Sequence, residues 1–407
     1  MADGRMVAAL DIGTTKILAL VGEMDEHGGI YVIGHGQTPS DGLRRGVVVD
    51  MDKTVKSIRK AVDDAQMVSG TEIDRVTVGI AGENIRSINS HGVVAVSRSD
   101  NEITSSDVRK AIEASRAIAI PVDREIIHVI PQSYSVDDQS GIKDAVGMSG
   151  VRLEVETHIV TVSVASAKNI YRALERCQLG VDHIVLESLA QSTVLLGEEE
   201  TEAGCMIVDL GGEIACASLF YDGAIRHTAV VPLGGKNVTN DIAIGLRTSV
   251  GQAEQLKLTY GAALASSVDP DEMIQVPGVA GRPPRELSRN VLASIIEPRM
   301  EEILSLINKE LKKVCRLDLF TAGMVLVGGG SLLPGTFELA EQIFDMPVRM
   351  GEIRGVAHTP DELGDARFAT AHGLLVYGFN NEALVGGRRG ALGGFFRKLE
   401  HWITRRL

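Results

Sequence analysis

Cysteine is scarce and scattered. Cys177, Cys205, Cys216 and Cys315 are the only thiols in 407 residues, and none forms a Cys-x-x-Cys pair or lies beside a histidine cluster. That spacing excludes a disulfide scaffold and a zinc-ribbon site, and it fits thiols kept reduced in a cytosol. Aromatics are also few, with 8 Phe, 6 Tyr and 1 Trp, and 12 prolines stand against 44 glycines. An excess of basic charge is missing too. The formal net charge is −13, which argues against a nucleic-acid-binding surface. The opening MADGRMVAALDIG holds no apolar signal-type region before its first acid. The longest suspicious run, Leu319 to Phe337, has no charge, but five glycines and Pro334 interrupt it. It reads as strand, glycine loop and helix rather than a membrane span. Hydrophobic residues at 44% and charged residues at 23% describe a folded chain with ample core, and the length predicts two or three domains.

What is present is a repeat. Met6–Leu10 reads as a strand, followed by the turn Asp11-Ile12-Gly13-Thr14-Thr15-Lys16 and a second strand, Ile17–Glu23. The same grammar returns at Cys205–Val208, with the turn Asp209-Leu210-Gly211-Gly212 and the strand Ile214–Tyr221. An Asp-apolar-Gly turn joining two apolar strands, met twice at half-chain spacing, predicts an internal duplication. Between the copies, residues 83–164 alternate strand-like and helical patterns and predict a small α+β insertion. Helical spacing marks Asp52–Met67, Ser106–Ile118 and Lys168–Cys177. Val291–Val314 is also helical, with Pro298 a possible break.

The two turns and a third glycine cluster, Gly328-Gly329-Gly330, carry the chemistry. A strand-end aspartate can hold magnesium through water, which gives metal-site roles to Asp11 and Asp209. Gly13, Thr14, Thr15, Lys16, Gly211 and Gly212 would let backbone amides, hydroxyls and an amine approach phosphate oxygens. The glycine cluster would let the backbone approach a nucleoside.

The end of the chain differs from its body. Residues 386–394 hold five glycines, and residues 386–407 carry six basic side chains against Glu400 alone. Wound as a helix, the last segment gathers Leu392, Phe395, Phe396, Leu399, Trp402 and Ile403 on one face, with Arg397, Lys398 and Arg405 on the other. That is the pattern of a helix lying in an anionic membrane interface; a partner's groove or the protein's own surface are the other places such a face could be buried.

The order of the two hairpins and the late glycine loop resembles the superfamily of actin, hexokinase and heat-shock-chaperone ATPases. The resemblance implies an α/β chain with a duplicated, actin-like (RNase H-like) two-lobed ATPase fold around an ATP–magnesium cleft. It also implies that Gly235, Lys236, Glu254 and Lys257 approach the nucleotide. A polar residue that orients attacking water should sit on the helix joining the halves, and Glu187 is the candidate. The second hairpin departs from the family pattern. Glu213 and Ile214 stand where a further glycine and a hydroxyl are usual, so at most weak ATPase activity is expected.

Longer stretches narrow the resemblance to the FtsA family of bacterial cell-division actin homologues. They are HVIPQSYSVDDQSGIKDAVGMSGVRLEVETHIVT, AKNIYRALERCQLGVD, GVAGRPPRELSRNVLASIIEPRMEEIL and GGFFRKLEHWITRRL. This implies a polymerising scaffold that tethers the FtsZ ring to the cytoplasmic face of the inner membrane at the division site and recruits other division proteins. The lobes divide as 1–82 with 165–200 and 366–380, and 201–246 with 317–365. Residues 247–316 form a small subdomain expected to bind the FtsZ C-terminal peptide, with Arg285, Arg289 and Arg299 as its positive contacts. Residues 381–394 form a linker and 395–407 the amphipathic helix. A sugar or acetate kinase of the same fold is the alternative.

Overall fold

The computed structural model describes residues 5–278 and 283–386. Residues 381–386 of the expected linker instead continue the helix Ala369–Gly386. Residues 387–394, the tail helix and its face of Leu392, Phe395, Phe396, Leu399, Trp402 and Ile403 lie outside the described residues.

Two five-stranded sheets organise the chain. In the first, Arg5–Ile12, Lys16–Met24 and Ile30–Pro39 form an antiparallel meander, and Arg75–Ile80 and Gly180–Leu186 extend it in parallel. The second repeats this plan. Cys205–Leu210, Ala215–Tyr221 and Ala224–Val231 form the meander, and Gly323–Val327 and Val348–Met350 add the parallel strands. Helices must cross between parallel strands, so both faces of these strands are covered and their sequences read as unbroken apolar runs. In Cys205–Leu210 every residue but Asp209 is buried.

The second strand set faces two cores. Met206, Val208, Leu210, Met324 and Leu326 pack with the second lobe's own helices. Cys205, Ile207, Val325 and Val327 join the core of the first lobe. The helices Glu187–Leu195 and Ala369–Gly386 fill the space between the sheets. They approach closely at Gly373, where an added Cβ would lie 2.2 Å from the Ala190 carbonyl oxygen.

Arg289–Lys312 is one continuous helix despite Pro298. Leu292, Ile296, Met300, Ile303 and Ile307 are buried along one stripe, and this burial outweighs the hydrogen bond that proline removes. The inserted unit is a four-stranded sheet with Arg152–Ser163 between Arg86–Ala95 and Arg124–Val136, backed by the helix Ser105–Ser115. A capping box of Thr104 and Asp107 starts that helix. The insertion also touches the second lobe. Asn89 donates to the Arg226 carbonyl at 3.2 Å and Gln132 to that of Ile225 at 2.7 Å.

Candidate phosphate-loop site

The equivalent strands Arg5–Ile12 and Cys205–Leu210 each end one residue after an aspartate. Asp11 pairs with Leu18 and Asp209 with Cys216, the matching position of each hairpin. The turns match as well. A Cβ on Gly13 would lie 2.9 Å from the Lys16 carbonyl oxygen, and one on Gly211 would lie 2.8 Å from that of Ile214. Both turns therefore depend on glycine for the same reason, a carbonyl folded back over the chain.

The two hairpins meet. A Cβ on Gly212 would fall 2.0 Å from Thr15 Oγ1 and 3.3 Å from Thr14 Oγ1. The third glycine cluster closes the other side. Gly328 has φ +81°, and a Cβ there would lie 2.2 Å from Asp209 Oδ1. Gly330 packs on Leu210, whereas Gly329 has open space around it.

Buried charge defines the electrostatics. Burial and the neighbouring Asp209 push the Asp11 carboxyl up to about 6, against the pull of Lys16. Asp209 is also raised by burial, opposed by a hydrogen bond from Gln191 and by the Lys16 charge. Glu187 is raised well above the ordinary carboxylate range, by burial first and then by Asp11 and Asp209. Three carboxyls thus lie close enough to raise one another, with the half-buried amine of Lys16 beside them, an arrangement that favours uptake of a proton or a cation. Lys16 is itself lowered by burial, with Asp11 as the main counterweight. Its Nζ donates to the Arg367 carbonyl at 2.7 Å and stands 3.9 Å from the centre of the Phe368 ring. Among the described residues, no group of three His, Cys, Asp or Glu side chains is arranged to hold a metal ion directly.

Gln191 is a site residue that sequence reasoning missed. It lies four residues after Glu187 on the same helix, so both face the same side. It is buried, and its Nε2 donates to Asp209 Oδ2 at 2.5 Å and to Thr370 Oγ1 at 2.9 Å. The helical i, i+4 step from Glu187 was the available signal.

The remaining expected residues fall into one group and one exception. Gly235 and Lys236 open the helix Gly235–Gly245, and their amides donate to the carbonyls of Gly211 and Gly212 at 2.9 and 2.7 Å. Lys257 Nζ donates to Glu254 at 2.8 Å, to Thr239 Oγ1 at 2.9 Å and to the Gly235 carbonyl at 3.2 Å. Glu254 and Lys257 therefore abut the second hairpin's supporting turn instead of standing as a surface ion pair. The three arginines are not gathered there. Arg285 binds the Leu246 carbonyl, Arg289 binds the Tyr260 carbonyl and Glu272, and Arg299 grips Asp241 and Glu302. Arg289 and Arg299 lie about 15 Å apart along one helix.

A family model described as "Cell division protein FtsA" matches residues 206–373, and one described as "SHS2 domain inserted in FTSA" matches residues 82–161. The cell division protein FtsA of Pseudomonas aeruginosa is 46% identical over 380 residues, covering 93% of this chain and 91% of that protein. The chain belongs to the FtsA family of cell division proteins. Solved structures agree on the fold. A PilM–PilN type IV pilus biogenesis complex matches at TM-score 0.66 and 17% identity, over 91% of this chain and 98% of the other. MreB5 of Spiroplasma citri bound to ADP matches at TM-score 0.59 and 14% identity, over 94% and 99%. The actin-like fold and the role in division stand as expected from the sequence, and family membership goes against the kinase alternative. No described helix is long and apolar enough to cross a membrane.

Proposed function

We propose that this chain is the ATP- and magnesium-dependent member of the division scaffold. It polymerises and holds the FtsZ ring, by the FtsZ C-terminal peptide, at the cytoplasmic face of the inner membrane. The observation that carries the reading is the convergence of Asp11, Asp209, Gly212, Thr15 and Gly328 on one partly buried, carboxylate-rich site. A solved structure of the same fold holds ADP.

The donor set fits magnesium, a hard cation that takes oxygen ligands and retains water. Asp11 and Asp209 would hold the ion through water, and it would neutralise the phosphate charge. Gly13, Thr14, Thr15, Lys16, Gly211 and Gly212 would bind the phosphates. Gly235, Lys236, Glu254, Lys257 and Gly328–Gly330 would bound the nucleoside side. Glu187 and Gln191 would orient water, with slow hydrolysis at most.

The membrane part of the reading rests on the basic, amphipathic segment 395–407. One copy would bind anionic lipid weakly, and copies arrayed in a filament would bind strongly through effective concentration. Co-sedimentation with vesicles containing anionic lipid tests it, with and without ATP. Deleting residues 395–407 should abolish pelleting and leave the fold intact. Equal pelleting of the truncated chain would overturn the tether. FtsZ C-terminal peptide added to the same assay should co-sediment only with vesicle-bound protein. Substitution of Arg285, Arg289 or Arg299 should weaken its capture.

A further inference from the structure

We propose that Glu213 couples occupancy of the phosphate loops to the entry of the inserted subdomain. Glu213 is one of the two side chains that depart from the family pattern, and its carboxylate contacts both lobes. Its Oε1 lies 2.9 Å from Lys236 Nζ, and the same amine donates to the Thr14 carbonyl of the first hairpin at 2.9 Å. Its Oε2 accepts the backbone N–H of Arg45, in the first lobe, at 2.5 Å. One carboxylate and one amine therefore clasp the two hairpins across the cleft.

The far end of the clasp is built to receive it. Leu43–Arg44 and Val47–Val48 form a two-residue hairpin whose turn residues, Arg45 and Gly46, both have positive φ, +50° and +77°. In such a turn the first central N–H takes no part in the ladder and is free for an outside acceptor. Arg45 then continues the connection. Its guanidinium pairs with Glu83 at 3.2 Å, and its carbonyl accepts the Glu83 N–H at 3.2 Å. Gly46 lies against Ala81 and Gly82, where a Cβ would fall 2.3 Å from the Ala81 carbonyl oxygen. Glu83 leads directly into the inserted sheet, where Arg86 donates to the Glu83 carbonyl and Arg124 to that of Asn84.

This inference rests on the nucleotide reading above. A polyphosphate entering between Thr14–Thr15 and Gly211–Gly212 competes for the three donors of Lys236 and repels the Glu213 carboxylate. The clasp and the occupied site therefore differ in interaction energy, which is the condition for a ligand to shift an equilibrium. Once Glu213 leaves Arg45, the 43–48 turn and its contacts with Glu83 lose their anchor.

Hydrogen exchange on the full chain tests the link, with ATP and magnesium as the probe and calorimetry on the same samples. In the wild type, ATP should raise exchange of the amides in 43–48 and 82–86. In Glu213→Ala those amides should exchange fast without ATP and respond to it no further, while ATP binds roughly tenfold tighter because the opposing charge is gone. Glu213→Gln keeps an acceptor for Arg45 and loses the charge, so it should fall between the two. Circular dichroism of each variant guards against misfolding. If the wild type binds ATP and these amides do not change, or if Glu213→Ala responds as the wild type does, the coupling is wrong and the nucleotide site stands. If calorimetry detects no ATP binding to the wild type, the site reading fails and the coupling falls with it.

Discussion

The two hairpins share a register and a turn, yet they carry different side chains. After the shared Asp-apolar-Gly, the first offers Thr14, Thr15 and Lys16; the second offers Gly212, Glu213 and Ile214. Backbone geometry was retained in both copies because a strand end, a glycine and a carbonyl folded over it fix the turn. Lys16 is half-buried, and its charge acts on Asp11 and Asp209. Lys236, its counterpart in charge, comes from a separate helix and answers Glu213.

Breaking the shared geometry should have the largest effect. Gly328→Ala places a Cβ at positive φ and 2.2 Å from Asp209 Oδ1. A loss of about 3 kcal/mol in denaturant unfolding is expected, together with loss of ATP binding. Wild-type stability in that variant would contradict the packing of the glycine loop on Asp209.

The charge asymmetry is tested next, through pH. Asp11 stands at about 6 against an unfolded value of 3.8, so the folded state holds the proton more tightly. Its contribution to stability is therefore highest below pH 4 and is lost as pH rises through about 6. Asp11→Asn should match the wild type at low pH and exceed it by roughly 3 kcal/mol at pH 7 in metal-free, nucleotide-free buffer. The buried histidines His128 and His158, at about 4 and about 3, slope the other way, but they are common to both proteins and cancel in the difference. A difference that does not vary with pH would show that Asp11 ionises freely.

Smaller effects belong to the peripheral pairs. Arg299→Ala removes a two-pronged contact with Asp241 and should cost about 1 kcal/mol in thermal unfolding. Lys236→Met should cost less, because its side chain is 44% exposed, while still altering ATP affinity. A large stability loss from Lys236→Met would mean that the clasp holds the lobes together by itself.

The duplicated hairpins were legible in the sequence because each is local: an aspartate, a glycine and two apolar strands within about twenty residues. The helix Asp52–Met67 emerged for the same reason and extends by only one or two residues at each end, as Met51–Ser69. Contacts between distant segments were not legible. Gln191 on Asp209, Glu213 on Arg45 and Gln132 on the Ile225 carbonyl join positions that no period or motif relates. Pro298 was misleading, because local propensity suggested a break where a buried stripe of five apolar side chains keeps the helix whole. The arginines of the small subdomain were visible as positive charge, and their internal partners, a carbonyl for Arg285 and carboxylates for Arg289 and Arg299, were not.

The central claim is that both hairpins form a single nucleotide site. Titration calorimetry of ATP with magnesium tests it most directly, using the wild type, Asp11→Ala and Asp209→Ala. The account predicts binding by the wild type and a loss of roughly tenfold or more in each variant, although the two residues are 198 positions apart. Unchanged affinity in either variant would contradict it.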